Sequence, residues 1–193
     1  MAKLKSLTLL KTHRGISPFT LKFKDGLNVI VGENGSGKSS ILKLLTEEPG
    51  SGVDGGPHKK LIRLDHEPGV NFRFLDTEKC NPRLKTDLEQ SKSIEFEIGS
   101  HFVSHGEAML PLILAAEGFK DIVLFIDEPE AGISLKNQKK VIETLKKIVI
   151  KNACQVIVTT HSYVIIKNVD EIFCMDTKKW MSSDAYLFSS VGK

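Results

Sequence analysis

The clearest chemistry in this chain lies in Gly32-Glu33-Asn34-Gly35-Ser36-Gly37-Lys38-Ser39, with Ser40 behind it, a run that satisfies G-x-x-x-x-G-K-[ST]. Glycines at 32, 35 and 37 let successive backbone N–H groups converge on one concavity, and a helix opening at its end adds partial positive charge. Phosphate oxygens are the natural ligand of such a loop. Lys38 would reach the β- and γ-phosphates of a nucleoside triphosphate as a point charge, and the Ser39 hydroxyl would take one coordination position on Mg²⁺. A second signal is Ile122-Val123-Leu124-Phe125-Ile126-Asp127-Glu128-Pro129, an apolar run that ends in two carboxylates. Asp127 is the candidate metal ligand, and Glu128 is placed to orient or deprotonate an attacking water. The third is Val156-Ile157-Val158-Thr159-Thr160-His161-Ser162, in which a buried strand delivers His161 within reach of a γ-phosphate. The ordinary alternatives are a turn capped by Asp127 and a structural histidine.

These groups need elements to carry them. Leu27 to Val31 is a β-branched run fit for a buried strand, and Ser39 to Leu45 has apolar residues at helical spacing, so the loop is framed as strand, loop, helix. Ile122 to Ile126 and Gln155 to Thr159 read as buried strands. Between them an amphipathic helix carries Val141, Ile142, Leu145, Ile148 and Val149 on one face, which makes a βαβ unit. Asp127, Glu128 and His161 then fall at the C-terminal edge of the sheet, where open α/β sheets bind ligands. Residues 4 to 10 and 19 to 24 alternate as paired edge strands of a small antiparallel layer, and 60 to 65 and 70 to 75 read as two further strands. The segment 47 to 57 is rich in Gly and Pro and predicts a mobile loop; 85 to 93 is polar and helical or irregular.

Composition bounds the class. The chain has 193 residues, enough for one sizeable core, with 40% hydrophobic and 26% charged residues and no apolar run that approaches a membrane span. The N-terminal residues show no secretory pattern, which predicts a cytoplasmic address. Cys80, Cys154 and Cys174 are odd in number and widely spaced, which argues for reduced thiols rather than a zinc knuckle or a disulfide framework. A net charge of +3 gives no argument for nucleic acid on its own.

The order of these motifs resembles the ABC-type ATPase fold, in its soluble SMC-like form, over nearly the whole chain. The resemblance implies an α/β P-loop NTPase with a mostly parallel sheet flanked by helices, a small antiparallel N-terminal layer, and a single domain over 1–193 with a reduced signature lobe around 79–118. Val103-Ser104-His105-Gly106-Glu107 resembles the signature motif in a Ser-His-Gly-Glu form. Ser104 and the N–H groups around Gly106 are then expected to bind the γ-phosphate of an ATP held by a second subunit, which implies an ATP-dependent homodimer with ATP and Mg²⁺ as cofactors. Two positions depart from the family pattern. Glu130-Ala131-Gly132-Ile133-Ser134 ends in serine where aspartate is usual, and no glutamine follows the strand ending at Leu75. Glu78 is the candidate metal or water contact there, with Asp76 second. The spacing from Lys38 to Ser104 leaves no room for coiled-coil arms, and the sequence runs only a short way past His161, so the expectation is a bare head without an appended nuclease.

The leading expectation is an ATP hydrolase acting as a dimerisation switch for an unidentified protein partner, in a DNA-processing or effector system. The alternatives are the nucleotide-binding subunit of a membrane transporter, or a slow regulatory module of a toxin or nuclease system. DNA is a weaker expectation: Lys136, Lys139, Lys140, Lys146, Lys147 and Lys151 share the polar side of the amphipathic helix, which suits a solvated face better than a phosphate-binding one. Arg14 is expected near the nucleotide or DNA, and Phe19 near the adenine.

Overall fold

The computed structural model describes residues 3–47, 61–76, 110–111 and 113–191. Near the N-terminus, β1 (Leu4–Leu9) and β2 (Phe19–Lys22) pair antiparallel, with Leu7 opposite Leu21 and Thr8 opposite Thr20. β1 is not an edge strand, as the alternation had predicted. A later strand, β4 (Ile62–His66), pairs antiparallel with its other side, giving a three-stranded sheet in the order β2-β1-β4.

The second sheet has six strands. It contains β3 (Leu27–Val31), β5 (Asn71–Asp76), β6 (Ile122–Asp127), β7 (Gln155–Thr159), β8 (Glu171–Cys174) and β9 (Lys179–Ser182), in the order β5-β6-β7-β3-β8-β9. Every neighbouring pair is parallel except β8 and β9. The two strands expected around 60 to 65 and 70 to 75 are both present, but in different sheets. A parallel sheet is covered on both faces, so its central strands must be apolar throughout, and alternation then decides which side each residue serves. Along β6, Leu124 and Ile126 face one core with Val156 and Val158, whereas Val123 and Phe125 face the other with Ile157 and Phe173.

Helices close these two cores. α1 (Lys38–Glu47) buries Ile41, Leu42, Leu44 and Leu45 in the core it shares with β1 and β2. α2 (Leu135–Asn152) buries Val141, Ile142, Leu145 and Ile148 on the opposite face, while Val149 is half-buried beside them. Two short helices, α3 (Tyr163–Lys167) and α4 (Ser183–Val191), follow β7 and β9. The buried Gln155 side chain staples the two sheets. Its Oε1 accepts the Leu4 N–H at 2.8 Å, and its Nε2 donates to the Leu4 and Lys24 carbonyls at 2.9 and 3.0 Å.

The register sets up the functional edge. Asp76, Asp127 and Thr159 are cross-strand neighbours at the C-terminal ends of β5, β6 and β7, and Ile30 on β3 pairs with Thr159 from the other side. The glycine-rich loop after β3, the carboxylates after β6 and the histidine after β7 therefore emerge side by side. The breaker-rich segment beyond Glu47 and the polar stretch 85–93 lie outside the described residues.

Candidate active site

At both ends of the loop from Gly32 to Gly37, contacts leave no space for a side chain on the glycine. A Cβ on Gly37, whose φ is +97°, would lie 2.2 Å from Ile16 Cδ1. Ile16 ends a tight turn, closed by paired backbone bonds between His13 and Ile16, that packs directly on the loop. At Gly32 a Cβ would stand 2.6 Å from Ser36 Oγ and 3.0 Å from both Met175 Cβ and Asp176 Oδ2. That same Asp176 oxygen accepts the Glu33 N–H at 3.0 Å, so the segment after β8 anchors the start of the loop.

Lys38 is only 5% exposed. Its Nζ donates to the carbonyls of Gly32 at 2.9 Å and Glu33 at 3.1 Å, and an ammonium has a third N–H to offer a ligand oxygen. Burial pushes its pKa below the ordinary value, while the nearby carboxylates of Glu128, Asp176, Asp127 and Glu33 pull it back up. An anion arriving in the cleft adds the negative charge that this buried cation lacks.

The opposite wall comes from β6 and β7. Asp127 Oδ1 accepts the Ser39 hydroxyl at 3.2 Å and also the hydroxyl of buried Thr159. Glu128 follows with φ +45°, a left-handed conformation that costs a non-glycine residue of order 1 kcal/mol. Its N–H donates to the Thr159 carbonyl at 3.1 Å, which helps to hold that turn. Half-exposed His161 places Nε2 3.6 Å from Glu128 Oε1.

Between these walls lies a cleft of about 190 Å³, lined by Asn34, Gly35, Gly37, Lys38, Ser39 and Ser40 on one side and by Glu128 and His161 on the other. Arg14, from the turn that carries Ile16, completes the rim. Pockets that enclose a whole drug-sized ligand measure roughly 300–1,000 Å³, so this cleft suits a polyphosphate with its nucleoside outside. The donor set fits Mg²⁺. Ser39 Oγ and Asp127 Oδ1 would be hard oxygen ligands from adjacent elements, and Mg²⁺ takes few protein ligands while keeping water and phosphate oxygens for the rest. Among the described residues no group of three or more His, Cys, Asp and Glu could hold a metal by itself.

Comparison with known proteins gives the family. The AAA ATPase domain family profile matches residues 3–110 and 107–166. The chain belongs to this ATPase family. Its fold is similar to that of an SMC head domain from Thermotoga maritima, with TM-score 0.58 and 18% identity over 90% of this chain and 94% of that one. It is also similar to an ATP-binding cassette in a dimeric post-hydrolysis state bound to ADP and Pi, with TM-score 0.51 and 15% identity over 95% and 99% of the two chains. Among curated proteins, the zinc import ATP-binding protein ZnuC of Haemophilus ducreyi is 25% identical over 173 residues, which is 80% of this chain. The chain spans 64% of that relative's length. Its fold is that of ABC-type and SMC ATPase heads.

Within this ATPase domain the structure brings Asn34, Gly35, Gly37, Lys38, Ser39, Ser40, Glu128 and His161 onto one cleft, with Asp127 behind Ser39. Gly32, Glu33 and Ser36 shape the loop from outside the lining. Ser104, Gly106 and Glu78 lie outside the described residues. Phe19 does not line the cleft; it stacks on Phe173 at 6.1 Å and lies under the Lys178 ammonium at 4.7 Å. Sequence reasoning gave no role to Thr159, Asp176 or Glu130. Asp176 carried a signal of the same kind as Asp127, a carboxylate just beyond an apolar strand. Among the described residues no helix is long and apolar enough to cross a membrane.

Proposed function

We propose that the chain binds Mg²⁺-ATP in this cleft and hydrolyses it. The observation that carries the reading is the placement of Glu128 and His161 across one cleft from Lys38 and Ser39. Lys38 and the loop N–H groups hold the phosphates, and Arg14 adds positive charge at the rim. Ser39 and Asp127 hold Mg²⁺, which would neutralise charge developing on the phosphate oxygens. Glu128 accepts a proton from, or orients, the attacking water, and His161 reaches the γ-phosphate side of the cleft. Pre-organised charge and position of this kind account for most of the catalysis of phosphoryl transfer.

The wider reading is a switch. Two heads close around two ATP molecules, each site completed by Ser104 and Gly106 of the other copy, and hydrolysis releases them to act on a protein partner. The similarity to a dimeric, post-hydrolysis ATP-binding cassette supports it. The relation to a zinc import ATP-binding protein favours a second reading, a subunit that serves a membrane transporter. Association of the native protein with membranes would select that alternative, and DNA-stimulated turnover would point to a DNA-processing role for the exposed lysines of α2.

Single-turnover hydrolysis in Glu128→Gln tests the core of the reading. The rate should fall by ~10² or more, with Mg²⁺-ATP binding retained. A wild-type rate in that variant would remove Glu128 from the chemistry.

A further inference from the structure

We infer that Glu130 is a positioning residue that ties the loop carrying Glu128 to the loop carrying His161, so that the two move as one body. The inference rests on the ATP-hydrolysis reading for its consequence, though its geometry stands without nucleotide.

Oε1 of Glu130 accepts the backbone N–H of His161 at 2.7 Å and that of Ser162 at 3.1 Å. Its other oxygen, Oε2, is buried, with the Thr160 hydroxyl against the carboxylate. A buried carboxylate is costly to ionise, and burial indeed pushes the Glu130 pKa up, although hydrogen bonds from Thr160 and His161 pull it back. A hydroxyl could cap one of these N–H groups more cheaply. What a carboxylate adds is strength, because hydrogen bonds to an ionised acceptor are roughly twice as strong as neutral ones.

A second tie runs parallel to the first. The Ser162 hydroxyl donates to Gln138 Oε1 at 2.7 Å, and Gln138 Nε2 donates to the Ile133 carbonyl at 2.9 Å. Ser162 Oγ also accepts the Ile165 N–H at 3.2 Å, which fixes the first turn of α3. The loop itself is closed by bonds from Ala131 N–H to the Glu128 carbonyl at 3.0 Å and from Ile133 N–H to the Glu130 carbonyl at 2.9 Å. Residues 128–134 and 160–163 are therefore tied at two points, by Glu130 to the His161 and Ser162 N–H groups and by Gln138 between the Ser162 hydroxyl and the Ile133 carbonyl. The pair of Glu128 and His161, 3.6 Å apart, sits at the Glu130 tie. A displacement of His161 must pull residues 130–134 with it, and the reverse.

Two independent measurements test this. In amide hydrogen exchange on the nucleotide-free full chain, residues 131–133 and 161–163 should open together in the wild type. Glu130→Ala should raise exchange of 161–163 by roughly tenfold or more, and Glu130→Gln, whose amide oxygen can accept both N–H groups, should restore most of the protection. In steady-state turnover, Glu130→Ala should lower kcat by roughly 10–10²-fold with KM for Mg²⁺-ATP little changed, again with recovery in Glu130→Gln. Gln138→Leu, which keeps Glu130, should give a smaller loss of the same kind and covers the case in which Glu130→Ala does not fold. Unchanged exchange at 161–163 in Glu130→Ala, or a lowered melting temperature with wild-type kcat, would overturn the inference. A wild type that fails to turn over ATP would instead strike the hydrolysis reading, and the exchange arm would still decide the clamp.

Discussion

Thr159 donates its hydroxyl hydrogen to Oδ1 of Asp127, the oxygen that also receives the Ser39 hydroxyl at 3.2 Å. A proposed metal ligand is thus oriented by a buried side chain on the neighbouring strand, one residue before the loop that leads to His161. Partners of this kind commonly govern metal affinity by 10–100-fold. Thr159→Val keeps the shape and removes the donor. The Mg²⁺ concentration for half-maximal ATP turnover should rise by about tenfold or more. An unchanged Mg²⁺ titration would show that Asp127 holds its orientation without Thr159.

Lys38 sits against the interests of stability. Its buried ammonium has a lowered pKa because burial penalises the charge, so the folded chain pays for a cation that a ligand later uses. Lys38→Met should abolish measurable Mg²⁺-ATP binding by calorimetry while leaving the melting temperature of the nucleotide-free protein equal or higher. A variant that binds nucleotide like the wild type would overturn the phosphate-loop assignment.

Glu130 gives a pH test with a definite sign. Burial raises its pKa above the ordinary 4.5, so the folded chain binds that proton more tightly than the unfolded chain does. The stability gained from protonation is complete below the ordinary value and is lost as pH rises through the raised one. Glutamine is neutral throughout and avoids the loss. The melting temperature of Glu130→Gln minus that of the wild type should therefore grow between about pH 4 and about pH 8. A flat or falling difference would show that the ionised carboxylate is not penalised in the native state.

ATP, and not ADP, should drive association of two heads when hydrolysis is blocked. In the proposed shared site, Ser104 and the N–H groups around Gly106 would gain a charge-assisted bond only when a γ-phosphate is present. The solution mass of Glu128→Gln with Mg²⁺-ATP should be that of a dimer, with ADP that of a monomer, and adding Ser104→Arg should return it to monomer. A mass indifferent to nucleotide and to Ser104→Arg would sink the shared site.

The chemistry-bearing segments were legible because each is local. A run of glycines ending in Lys38-Ser39 needs no partner to define its turn, and the apolar strand before Asp127 or His161 reads from a handful of consecutive residues. The helix between them is fixed by spacing alone: Val141, Ile142, Leu145 and Ile148 share a face at any fold that accepts it. These signals determined a parallel βαβ core with its ligand edge at the carboxyl ends of the strands.

Only tertiary structure decided what stands behind them. Strand order places β3 between β7 and β8, and that brings Asp176 from the end of the chain onto the Glu33 N–H. Register sets Thr159 beside Asp127, and the turn ending at Ile16 seats on Gly37, carrying Arg14 to the rim. The strands near 62 and 71 look alike in sequence, yet one completes the antiparallel layer and the other pairs with β6. Alternation tells which side of a strand is apolar, whereas partner choice depends on which exposed edge is available once the rest has packed. Contacts between segments more than a hundred residues apart have no periodic trace in the chain, and their geometry is fixed only when both cores close.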